Sequence, residues 1–131
     1  GLDTAGLFTE CRKAEPYTLA CIQSIGRDLS NDARIGRPET VAGKCELGQN
    51  AGEKHACTQG VIYALIDNTW DGRYAFPFCQ TFAEAPDSAF CMTASAQYLR
   101  GIYDKTKDEI ISQCVTYTKD RPVCTTATAN F

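Results

Sequence analysis

The chain holds one histidine, one methionine and one tryptophan in 131 residues, and these scarcities already exclude several kinds of chemistry. With His55 as the only histidine, neither a histidine-based zinc site nor a Cys/His nucleophile pair is easily assembled. There is no C-x-x-C, no C-x-x-C-H and no paired Cys/His spacing, so a zinc ribbon, a thioredoxin-type redox site and an attached haem lack support. No G-x-S-x-G, no phosphate-cradling glycine loop and no carboxylates paired by spacing appear. Basic residues form no stripe and the net charge is -3, which argues against a nucleic-acid partner. No run of about 18 apolar residues exists, so no membrane span is expected. Asn-x-Ser/Thr is absent as well, and N-glycosylation is not implied.

What is present is a chain of ordinary domain length, 44% hydrophobic and 22% charged, able to bury a core. A single domain over residues 1–131 is expected. Its eight cysteines, even in number, are unusual for a cytosolic chain and point to disulfides in an oxidising compartment. A first residue of Gly1 instead of methionine fits an exported, processed protein, extracellular or periplasmic.

The cysteine spacing carries the most information. Cys11, Cys45, Cys79 and Cys114 are 34, 34 and 35 residues apart; Cys21, Cys57, Cys91 and Cys124 are 36, 34 and 33 apart. A period near 34 belongs to two-helix repeat arrays, in which each unit is too small to bury its own apolar face. Neighbouring positions echo the period. Three residues after the second cysteine stand Ser24, Gly60, Ala94 and Ala127; eight after it stand Leu29, Leu65 and Leu99. Three before the first cysteine are Phe8, Ala42, Phe76 and Ile111, and directly before the second are Ala20, Ala56, Phe90 and Val123. Such offsets put apolar and small side chains on one helical face, where a small residue lets two helix backbones approach.

Between the two cysteines of each unit lies turn chemistry. Pro16 and Pro86 stand five residues before their second cysteine, suited to a first helical position. The spacing predicts first helices at about 3–13, 38–47, 73–83 and 106–117, with Pro38 a natural start and Pro77 an awkward guest. Second helices are predicted at about 16–30, 52–68 and 86–104. The ending Thr125–Phe131 is short and β-branched, so the last second helix is expected to be stunted, and either the array ends raggedly or another molecule supplies the missing surface. The expected fold is all-α: about four two-helix repeats (3–36, 37–71, 72–105 and an incomplete 106–131). If each unit closes its own C-x(9–11)-C pair, the bonds are Cys11–Cys21, Cys45–Cys57, Cys79–Cys91 and Cys114–Cys124, one choice among 105 pairings.

The segments Cys21-Ile22-Gln23-Ser24-Ile25-Gly26 and Cys57-Thr58-Gln59-Gly60-Val61-Ile62 resemble those of secreted cysteine-rich α/α repeat proteins, relatives in architecture of the tetratricopeptide and suppressor-enhancer-of-lin repeat classes. The resemblance implies a non-catalytic protein that presents a surface to partners. It transfers no site residue.

Candidate chemistry is sparse. His55, with Glu53 nearby, falls in the slot of Leu19, Ala89 and Pro122 and reads as a scaffold histidine rather than a general base. Asp67–Gly72 has oxygen ligands before a glycine, but its twelfth position is Phe78, so a calcium loop fails and a helix-ending turn remains. Asp104–Glu109 reads as a solvated linker and helix start. Most aromatics are expected in the core, with some left for an interface. No catalytic, metal or cofactor residue is assigned. The candidate interface residues are Leu2, Leu7, Phe8, Trp70, Tyr74 and Phe131, with Gly1–Phe8 and the Thr-rich tail as joining surfaces. The expected role is a protein-interaction scaffold or a self-assembling, filament-type subunit whose partner is another protein or itself. The alternatives are a small disulfide-rich enzyme and a carrier of an apolar ligand.

Overall fold

The computed structural model describes residues 2–131. Among them are eight helices and no strand: α1 (Thr4–Arg12), α2 (Thr18–Ile35), α3 (Pro38–Cys45), α4 (Ala51–Thr69), α5 (Ala75–Cys79), α6 (Ala85–Tyr103), α7 (Lys107–Thr118) and α8 (Arg121–Ala127). Local chemistry sets most of the starts. Asp3 and Asn50 accept the Gly6 and Glu53 N–H groups at 2.8 and 2.9 Å, using side-chain oxygens on donors that lack an intrahelical partner. Thr106 and Glu109 form a reciprocal capping box, 3.1 Å in both directions. Pro38, Pro86 and Pro122 sit in first turns, where a missing N–H costs nothing.

Several boundaries differ from expectation for physical reasons. The helix expected at 73–83 shrinks to Ala75–Cys79, since Pro77 is tolerated only in a first turn and the chain then bends through residues 80–84. Pro16 is not a first helical residue: it follows a cis bond to Glu15, and α2 begins at Thr18. At its other end α2 runs five residues beyond expectation, to Ile35, and stops at Gly36, whose φ of 138° suits a residue without a side chain.

Four disulfides close the chain locally, Cys11–Cys21, Cys45–Cys57, Cys79–Cys91 and Cys114–Cys124, with Cα separations of 5.3–5.7 Å. Each ties one helix to the helix that follows it, a short one to a long one in the first three pairs and α7 to the shorter α8 in the last. The even-numbered helices α2, α4, α6 and α8 pack one on the next, while α3, α5 and α7 form a second layer and α1 rests on α2. Between the layers lie Phe8, Ile62, Leu65, Phe76, Phe78, Met92, Leu99 and Ile110, all buried.

The closest helix approach is α2 on α4. A Cβ added to Gly60 would run into the Gln23 carbonyl oxygen, and one added to Gly26 into that of Cys57. Two glycines therefore let each backbone lie against the other. Ala94 and Ala127 are buried at the positions equivalent to Gly60, but Ser24, the fourth of that series, is exposed.

Candidate interaction surfaces

The seven-residue α8 covers less of α6 than α4 covers of α2. Along the seam remains an apolar groove of about 320 Å³, lined by Ala85, Ala89 and Met92 from α6 and by Pro122, Val123 and Thr126 from α8. A second, more open depression of about 420 Å³ lies on α7, where Ile111 and Val115 meet Arg121. Among the described residues, no histidine lines either opening and the only carboxylate lining them is Asp108, at the second.

The candidate interface residues separate under the fold. Leu2, Leu7 and Trp70 are exposed, Trp70 at 69%. Phe8 is a correction: its ring is fully buried between α1 and the rest of the core, so it offers nothing to a partner. Tyr74 and Phe131 are half-buried against the core, and Arg100 places its guanidinium 4.6 Å from the Phe131 ring centre. Exposed apolar side chains absent from the sequence-based set include Tyr17, Leu19, Ile35 and Ile102. Tyr17 stands four residues before its cysteine, a position that is buried as Glu53 and half-buried as Asp87; only the missing neighbour reveals it.

Polar chemistry gathers where successive helix pairs meet. Arg12, on α1, grips Glu53, on α4, with both of its forks: Nε donates to the two carboxylate oxygens at 3.2 and 3.0 Å, and a terminal nitrogen to one of them at 2.7 Å. The Gln49 N–H adds 2.9 Å to the same carboxylate. The Arg12 hydrogen bonds hold Glu53 below the usual carboxylate range, against the opposing effect of burial. At the next meeting point the corresponding residues are both acidic. Glu46 lies against Asp87, and its carboxyl is pushed up to about 7 by burial first and then by the neighbouring Asp87 carboxyl. Lys54, 3.7 Å away, offsets only part of this, and one Glu46 oxygen is buried without a partner. The absence of paired carboxylates expected from spacing is thereby corrected, because a 41-residue separation hides the pair. Glu46 and Asp87 line neither opening.

His55 stacks on Phe90, ring centres 3.6 Å apart and nearly parallel. Tyr63 stacks on Tyr98 at 4.2 Å. One oxygen of Asp67 accepts the Tyr98 and Tyr103 hydroxyls at 2.8 and 2.6 Å. That bond and burial push the Tyr103 phenol up to about 12; for Tyr98, burial leads and Asp67 adds to a still larger rise. Asp67 and its neighbours thus serve helix packing. Asp71 binds Thr69 and Arg73 across the turn after α4, consistent with a helix end. Among the described residues no cluster of three or more His, Cys, Asp or Glu side chains is arranged to hold a metal ion, and no helix is long and apolar enough to cross a membrane. No protein-family description matches the chain, and neither a curated protein nor a solved structure does so.

Proposed function

We propose that this protein is an exported, non-catalytic structural subunit that stacks on copies of itself. In this reading its helix pairs are four α/α repeats of about 34 residues, similar in architecture to tetratricopeptide-type arrays. The observation that carries it is the outer face of α2. Tyr17, Ala20 and Ser24 are exposed, whereas the matching residues on α4 (Glu53, Ala56 and Gly60) are buried. A packing face without its neighbour invites a second copy, because repeat arrays need polar caps to stay monomeric. Four disulfides support export, since such bonds persist in oxidising compartments. Light scattering after size-exclusion chromatography, with electron microscopy of the same sample, tests the reading. The expected result is a mass that grows with concentration and linear particles; a monomer up to millimolar concentration overturns it.

The α6–α8 groove favours a second reading, a carrier of an apolar ligand. Its volume of about 320 Å³ falls at the small end of ligand pockets. Native mass spectrometry of protein taken from its source would show a bound small molecule, displaced in an Ala89→Trp variant that fills the groove. Protein that carries no added mass removes this reading.

A further inference from the structure

Junctions between successive helix pairs have a fixed address in this sequence. The residue after the first cysteine of one pair meets the region four residues before the second cysteine of the next. Arg12 binds Glu53, and Glu46 lies against Asp87. Gln80 donates to the Thr118 carbonyl at 3.0 Å, two residues before Asp120. Two members of this series have no counterpart inside the chain. Tyr17 is the first residue of the "four before" kind and stands 69% exposed. Val115 is the last of the "one after" kind, and with Ile111 and Arg121 it lines the open depression on α7.

The geometry points to a head-to-tail joint between two copies of this chain, in which Tyr17 of one copy enters the Ile111–Val115 depression of the other. The inference rests on the self-stacking reading above and names its joint. The chemistry is complementary. Internal junctions set charged or polar side chains against each other, whereas Tyr17 brings a ring with a hydroxyl to a depression where Ile111 and the half-buried Val115 lie among Asp108, Ser112, Thr116 and Arg121, so that ring burial and polar contacts to the phenol both contribute. Arg121 at the rim offers a guanidinium to the ring face or the phenol oxygen. Ala20 and Ser24, small and exposed beside Tyr17, let α2 lie close, as Ala56 and Gly60 do on the adjoining α4. Because the two surfaces differ, each joint leaves one free surface of each kind, and copies add in line.

The test is a charge-swap cycle on the disulfide-intact chain, with self-association read by sedimentation equilibrium and folding by far-UV circular dichroism. Tyr17→Glu and Val115→Arg are each expected to weaken association by about tenfold or more. An equimolar mixture of the two, or a chain carrying both, is expected to recover to within about threefold of the parent, reproducing the Arg12–Glu53 arrangement at the joint. If either charge variant loses its helical signal, Tyr17→Ala and Thr116→Trp, the second filling the depression, replace them with the same expected weakening. A parent chain that associates while the single variants associate equally well overturns this joint and leaves self-stacking intact. Singles that weaken without recovery in combination also overturn it. A parent chain that stays monomeric overturns self-stacking itself, and the joint with it.

Discussion

The α2–α4 and α4–α6 contacts use the same architecture and opposite chemistry. The first is held by backbone: Gly26 and Gly60 bring the helices together, and the Arg12–Glu53 pair bolts α1 onto α4. The second is held by rings, His55 on Phe90 and Tyr63 on Tyr98, and at the slot of the bolt it carries Glu46 against Asp87. The difference shows that helix packing here does not need a favourable ion pair at that slot. Ring burial and the adjacent disulfides hold the second contact despite two acids in one place. It also gives the two contacts opposite responses to pH. Glu53 sits below its ordinary value, so its contribution is present above that value and is lost as pH falls through the lowered one. Glu46 sits above its ordinary 4.5, at about 7, so its contribution is full below 4.5 and is lost as pH rises towards 7.

The comparison can be broken most severely by removing the frame that both contacts share. Closing a loop of about 11 residues contributes roughly 2.8 kcal/mol, so four bridges contribute roughly 11 together. A reduced chain is therefore expected to unfold at room temperature, read by circular dichroism. With the bridges intact, Gly60→Val should cost about 3 kcal/mol in urea unfolding, because the new side chain meets the Gln23 carbonyl. Ala94→Val, at the ring-packed contact, should cost about 1 kcal/mol. Glu53→Ala strands the Gln49 N–H and removes the partner of Arg12, and should cost about 2 kcal/mol at pH 7. Glu46→Gln sharpens the contrast: the melting temperature should rise at pH 8, stay unchanged at pH 4, and the decline between pH 4.5 and 7 should flatten. The smallest effect, about 1 kcal/mol or less, is expected for His55→Ala, which removes one ring stack.

Much of the fold was legible because cysteines and their apolar neighbours repeat along the chain. Phe76, Leu65 and Leu99 repeat in step with the cysteines, and each is buried. Prolines placed two helix starts, Pro38 and Pro86, while the Asn50 and Thr106 caps emerged only with the fold. The short α5 was less legible, since Pro77 disrupts a pattern without fixing where a helix resumes. Interaction surfaces were harder still. Phe8 and Trp70 look alike as apolar residues near element ends, but one points into the core while the other caps α4 in a left-handed conformation with its ring outside. Tyr17, which falls inside the helix expected from Pro16 onward, stands out only once its counterparts Glu53 and Asp87 are seen in contact with a preceding pair. The acidic pair was invisible for the same reason: 41 residues separate Glu46 from Asp87, and no local period brings them together.

The most direct test of locally stapled helix pairs is disulfide mapping by mass spectrometry of a non-reduced tryptic digest. Cleavage after Arg12 or Lys13, after Lys54 and after Lys119 separates the cysteines of three pairs, whereas Cys79 and Cys91 share one peptide. The predicted result is three crosslinked peptide pairs, Cys11 with Cys21, Cys45 with Cys57 and Cys114 with Cys124, plus one internally bridged peptide. A bridge joining cysteines of different pairs, or free thiols in the native protein, would contradict the account.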